Sequence, residues 1–210
     1  MRASSDTAVA RLGPATTPRI DGLALAMKGE EASGDAWSVV HDGAWATVLL
    51  VDGLGHGAEA ARAAAAAVRE LRPGLSPEAL LERMHAALRA TRGAAAAIAR
   101  LNRATGALRF AGIGNIAARI VDGATTRALV SMNGTLGHSV RRFQGFDYEL
   151  ASDALLVMHS DGCGGGWDLA LYPGLVRRDP LVIASVLVRD FERGRDDVSV
   201  VVAKGYGAPE

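Results

Sequence analysis

Aspartates stand at the ends of four apolar segments in this chain. Asp35 precedes "AWSVVH", Asp52 follows "AWATVLLV", Asp161 follows "ALLVMHS", and the pair Asp196-Asp197 precedes "VSVVVA". Asp52 and Asp161 are each followed at once by glycine. Taken singly, Asp-Gly is an ordinary turn dipeptide. In an antiparallel sheet, however, the exit of one strand lies beside the entry of its neighbour, so acids at matched strand ends converge on one edge. Converging carboxylates repel one another, which implies either shifted pKa values or bound cations. Oxygen donors suit hard ions, magnesium or manganese, and no His or Cys set competes for zinc. Two such ions about 3.5–4 Å apart can share a hydroxide and hydrolyse a phosphate ester by in-line attack. A glycine after Asp52 leaves its carbonyl free to approach a metal closely.

The elements that must position these acids can be read from periodicity and turn chemistry. "AWSVVH" (36–41) and "AWATVLLV" (44–51) are joined at Asp42-Gly43, a hairpin dipeptide, so residue 35 should pair near 50–52. A helix is expected from about Ala58 to Arg72, stopping at Pro73-Gly74. A second starts at Ser76-Pro77-Glu78, with Leu80, Leu81, Met84 and Leu88 on one buried face. Short strands follow: "AAAAIARLN", "ALRFAGIG", "IAARIVDG" and "TRALVSM". "FQGFDYELA" and "ALLVMHS" are expected to form a hairpin around Ser152-Asp153. "PLVIASVLVRDFER" (180–193) reads as a helix with Asp179 as its cap, and "VSVVVAKG" as a last buried strand. "IDGLALAMKG" and "TAVARLG" are weaker strand patterns near the start. Hairpin-linked strands with clustered helices predict an α+β sandwich rather than alternating βαβ units.

Bulk properties narrow the function classes. Lysine plus arginine and aspartate plus glutamate number 23 each in 210 residues, so nothing points to nucleic acid or anionic lipid. The single cysteine, Cys163, excludes an intramolecular disulfide. No basic leader with an apolar core and no long apolar run is present, and a cytoplasmic protein is the simplest expectation.

The ordered set "SGD" (33–35), "VDGLGHG" (51–57), "GIGN" (112–115), "HSDG" (159–162) and "RDDVSVVV" (195–202) resembles the motifs of metal-dependent PP2C-type serine/threonine phosphatases. Small bacterial members, the SpoIIE and RsbX-like group, are the most similar in flavour. The resemblance implies a PP2C-like α-β-β-α sandwich, two packed antiparallel sheets flanked by helices. It would span residues 1–210 as a single domain, with 1–5 and 207–210 expected to be loose. It implies Mn2+ or Mg2+, two ions: Asp52 bridging both, the Gly53 carbonyl binding one, Asp161 and Asp196 holding the first, and Asp35 near the other. Asp197 then reads as the bystander of its pair. The implied nucleophile is metal-activated water, and the implied partner is a phosphorylated STAS-domain or stressosome-type regulatory protein. The pattern also departs from larger members, which carry a histidine directly after Asp-Gly. Leu54 stands there, and His56, two places later, is the candidate general acid, with a local structural role as its rival reading. A phosphate-gripping arginine of larger relatives has no clear counterpart, and Lys28 is the nearest candidate. His159 reads as a satisfied core histidine, and Trp167 as packing or a partner contact.

Two rival readings compete with this one. "GLGHGA" satisfies a dinucleotide fingerprint formally, but a helix follows where a second parallel strand is needed. A non-catalytic binding or scaffold domain with a structural metal is the other. Retention of all four acids argues against it.

Overall fold

The computed structural model describes residues 19–205, so "TAVARLG" and both chain ends lie outside the described residues. One five-stranded antiparallel sheet has the order β1 (Ile20–Leu25), β12 (Val198–Lys204), β11 (Leu155–His159), β6 (Ala117–Asp122), β7 (Thr125–Ala128). The other has the order β10 (Phe146–Glu149), β5 (Ala107–Ile113), β4 (Ala94–Asn102), β3 (Trp45–Gly53), β2 (Asp35–Asp42). A small ribbon pairs β8 (Gly134–Thr135) with β9 (Ser139–Val140).

Alternation along the strands builds three apolar layers. On β3, Ala46, Val48 and Leu50 face the other sheet and, with Phe110 of β5 beside them, share one layer with its Leu156, Met158 and Val201. Leu49 and Val51 point the opposite way, into α1 (Gly57–Val68) and α2 (Pro77–Ala87). Val198, Val200 and Val202 of β12 pack against Ile183 and Leu187 of α3 (Pro180–Phe191). Each such buried side chain contributes roughly 1.5–3 kcal/mol before ordering costs. The architecture is therefore the α-β-β-α sandwich expected from the sequence, with α1 and α2 on one sheet and α3 on the other.

Some local expectations fail for physical reasons. Helix α1 ends at Val68, not Arg72, because its end tightens: the amides of Glu70 and Leu71 bond the carbonyls of Ala67 and Val68. That turn drives Leu71 into the core, and the Arg72 guanidinium takes the Leu71 carbonyl. "FQGFDYELA" and "ALLVMHS" do not form a hairpin. β10 pairs with β5 in one sheet, whereas β11 pairs with β12 and β6 in the other. β11 is buried on both faces and needs two neighbours, while β10 alternates half-buried and exposed as an edge strand does. Asp179 stands at the start of α3, but its carboxylate caps nothing; it pairs with Arg19 at 3.2 Å instead. Ser76 does cap α2, accepting the Ala79 amide at 3.2 Å.

All the acids expected to do chemistry lie at one end of the sandwich. That end receives the starts of β2, β4, β6 and β12 and the ends of β1, β3, β5 and β11. Two crossings between the sheets, residues 26–34 and 114–116, are also made there.

Candidate functional site

Asp35 and Asp52 are direct cross-strand partners in the β2–β3 register. Asp52 continues the inward row of Ala46, Val48 and Leu50, so its carboxylate projects at the mouth between the sheets. Across that mouth, Ser199 of β12 donates its hydroxyl to Asp35 Oδ2 at 2.8 Å, a buried bond that ties one sheet to the other. Asp161 stands two residues past the end of β11, where its Oδ2 accepts from Asn115 Nδ2 at 2.7 Å. Asn115 belongs to the crossing after β5, so "GIGN" supplies a side chain that orients Asp161.

The adjacent acids Asp196 and Asp197 divide their work. Asp197 is 3 % exposed, and its carboxylate accepts the amides of Met27 and Gly34 at 2.7 Å each. It staples the crossing from β1 to β2, which makes it more than a bystander: it sets where Asp35 begins. Asp196 stays accessible and accepts the Asp197 amide at 2.9 Å.

The glycines after Asp52 and Asp161 are required by packing. A Cβ on Gly53 would lie 2.3 Å from the Ala60 carbonyl oxygen of α1, and one on Gly162 would lie 1.9 Å from the Asp197 carbonyl oxygen. Each glycine thus lets backbone press on backbone and carries its preceding acid to the shared edge. The close approach expected of Gly53 is made first to a helix.

Electrostatics mark Asp52 as the centre. Its carboxyl is pushed up to about 8, by burial first and then by the charges of Asp35, Asp161, Asp196 and Asp197, and no hydrogen bond from the described residues offsets them. Burial raises Asp35 to about 6, with Asp197 and Asp196 adding to it, while the hydroxyls of Ser160 and Ser199 oppose the rise. Burial also raises Asp196. Among the described residues no three His, Cys, Asp or Glu side chains already form a closed ligand set. The donor chemistry nonetheless fits a hard divalent cation: oxygen donors only, crowded like charges, and a central carboxylate with no donor of its own.

His56 is the residue before α1, exposed, with Nδ1 2.6 Å from Glu30 Oε1. It lies close enough to the edge to oppose slightly the rise that burial imposes on Asp196. Lys28 is exposed in the turn after β1. His159 is only half satisfied: Nδ1 bonds the Ser160 carbonyl at 2.9 Å, whereas Nε2 has no partner among the described residues. Burial lowers its pKa and keeps it neutral. Trp167 is buried rather than available to a partner, lying edge-on to His159 and beneath the Arg119 guanidinium. Sequence reasoning missed Ser199, Asn115 and Glu30. The first two carried a signal, being polar residues at strand ends in the same motifs as the acids. Glu30 carried none.

Comparison with known proteins places the chain in a family and matches its fold. The family model described as Stage II sporulation protein E (SpoIIE) matches residues 42–205, a span that includes Asp52, Asp161 and Asp196 and begins after Asp35. A solved structure from work on the bacterial stressosome, as a modular system adapted to control secondary messenger signaling, is 31% identical with a TM-score of 0.79. That match covers 90% of this chain and 100% of the other. RsbX in complex with magnesium is 18% identical with a TM-score of 0.75, covering 89% of this chain and 98% of that one. The structure of the PP2C phosphatase domain and a regulatory fragment of SpoIIE from Bacillus subtilis is 21% identical, with a TM-score of 0.73. It covers 90% of this chain and 63% of that one. The latter two likenesses concern the fold. No curated protein matches by sequence.

Proposed function

The chain belongs to the SpoIIE family of PP2C-type phosphatases, and on that premise we propose a metal-dependent protein serine/threonine phosphatase acting on a phosphorylated regulatory protein. The observation that carries the reading is the meeting of Asp35, Asp52, Asp161 and Asp196 at one end of the sandwich, with Asp52 raised to about 8 by burial and by the charges of its neighbours. Mn2+ or Mg2+, two ions, would be held by Asp52 between them, by the Gly53 carbonyl, by Asp161 and Asp196, and by Asp35. When bound, such ions lower the pKa of water and withdraw charge from a phosphoryl oxygen.

The chain's own residues supply the rest. Ser199 and Asn115 fix the carboxylates of Asp35 and Asp161, and Asp197 fixes the crossing that presents Asp35. With both ring nitrogens protonated, His56 would donate Nδ1–H to Glu30 and pass its Nε2 proton to the departing serine or threonine oxygen. We read residues 1–210 as one such domain, working in the cytoplasm. No helix among the described residues is long and apolar enough to cross a membrane. A STAS-domain or stressosome-type protein is the proposed substrate class, supported by the stressosome relative.

The test is hydrolysis of p-nitrophenyl phosphate and of a phosphorylated STAS protein with manganese or magnesium. Activity should vanish with chelator and in Asp52→Asn and Asp161→Asn. Turnover that survives both would sink the assignment. A folded, metal-binding protein without turnover would instead favour a scaffold.

A further inference from the structure

The acidic end is not lined by acids alone. A cleft of about 140 Å³ opens beside it, bounded by Asp161, Gly162, Arg193, Arg195 and Asp196. Both arginines lie on the connection from α3 to β12, and that connection is pinned to the site at each end. The Arg193 amide bonds the Gly162 carbonyl at 2.9 Å, and the Gly164 amide bonds the Phe191 carbonyl at 2.7 Å. Cys163 bridges Glu192 in the same short antiparallel contact. At the other end Asp197 is buried under its two amide bonds. The loop backbone is thus held against the residues that follow Asp161, and both arginines line the cleft beside Asp161 and Asp196.

Neither group is committed to a carboxylate. Arg19, Arg62, Arg83, Arg100, Arg109 and Arg189 form ion pairs within 4.0 Å among the described residues, whereas Arg193 and Arg195 form none. Two exposed arginines share a cleft with two acids and pair with neither, so their fork donors stay available to an incoming anion. The charge balance says which anion. Five carboxylates set against two divalent ions leave the edge net negative, hostile to a phosphoryl dianion, and two guanidinium groups reverse that sign. Arginine also matches phosphate oxygens in planar, bidentate fashion, which lysine does not.

We propose that Arg193 and Arg195 form the phosphoryl-binding subsite, gripping the non-reacting oxygens of the substrate phosphate beside Asp161 and Asp196. This deepens the phosphatase reading and rests on it. It also replaces Lys28, which lies in a different turn, as the counterpart of a phosphate-gripping side chain.

The experiment compares wild type, Arg193→Ala, Arg195→Ala, the double variant, and Arg195→Lys. Two quantities are read: KM and kcat for a phosphoserine peptide, and the affinity for inorganic phosphate by calorimetry in the presence of manganese. Each alanine variant should raise KM and weaken phosphate binding by about tenfold, equal to about 1.4 kcal/mol. The double variant should exceed either, and the lysine variant should recover part of the loss. Melting temperature and manganese affinity should stay at wild-type values. Phosphate affinity within twofold of wild type in the folded double variant would overturn the subsite. If wild type binds inorganic phosphate through these arginines yet hydrolyses no phosphoester, the phosphatase reading fails while the subsite stands.

Discussion

Asp35 and Asp52 face each other directly across the β2–β3 pair, and a hydroxyl from the opposite sheet, Ser199, reaches only the first. The two acids are therefore unequal. Both rise by burial, but Asp35 is tethered and reaches about 6, while Asp52, with no hydrogen bond among the described residues to offset its neighbours, reaches about 8.

This inequality fixes a pH dependence for the chelated protein. Both folded pKa values lie above the unfolded carboxylate value of 3.8. The folded state then holds protons that the unfolded chain releases, so this stability is complete below about pH 4 and is lost as pH rises through 6 and then 8. In chelator, the melting temperature of Asp52→Asn should exceed that of wild type at pH 8, and the gap should close toward pH 5. Equal pH slopes for the two proteins would refute the coupling.

Asp197→Ala should be costlier to the fold than to any ligand. It orphans the amides of Met27 and Gly34, and bonds to a charged acceptor contribute about 1.5–3 kcal/mol each. Urea denaturation should show a loss of about 3 kcal/mol or more. Asp196→Asn, by contrast, should leave the urea midpoint near wild type and weaken manganese binding.

Gly53→Ala should couple α1 to the acids. The added methyl meets the Ala60 carbonyl oxygen at 2.3 Å, so strand end and helix must part, at a cost of about 1–3 kcal/mol. Manganese affinity and melting temperature should fall together. A destabilised variant with wild-type metal affinity would show that the contact only packs.

His56→Gln separates proton donor from local support. Nitrophenolate leaves without help, but a serine alkoxide needs a proton, and general acid catalysis typically contributes about 10²–10⁴-fold. Turnover of the phosphoserine peptide should drop by about 100-fold and that of p-nitrophenyl phosphate by little. An equal loss on both substrates would assign His56 to holding the loop against Glu30.

The site's carboxylates were legible because strand alternation and hairpin register are local properties. Counting outward from Asp42-Gly43 brings Asp35 opposite Asp52, as the structure has it. The expected β10–β11 hairpin failed because an edge strand and its sequence neighbour show the same patterns whether they pair or part. What decides is the second partner each finds far along the chain, Phe110 for Phe146 and Val200 for His159. The tasks of Asp197 and Gly162 were likewise hidden. They depend on an amide 163 residues distant in sequence and on a carbonyl of the neighbouring strand entry. Arg193 and Arg195 sat in plain view in "RGRDD", but only the fold shows that they line a cleft together with Asp161 and Asp196.

The crossings at residues 26–34 and 114–116 lock the two sheets together at the acidic end. The tight turns around Gly43, Gly106 and Gly123 all lie at the opposite end. Room for change is thus divided lengthwise: the exposed distal turns at Gly43 and Gly123 can lengthen, carry a tag or accept an inserted module without altering the spacing of the carboxylates. A one-residue insertion within β2, between Asp35 and Asp42, would by contrast move Asp35 out of register with Asp52.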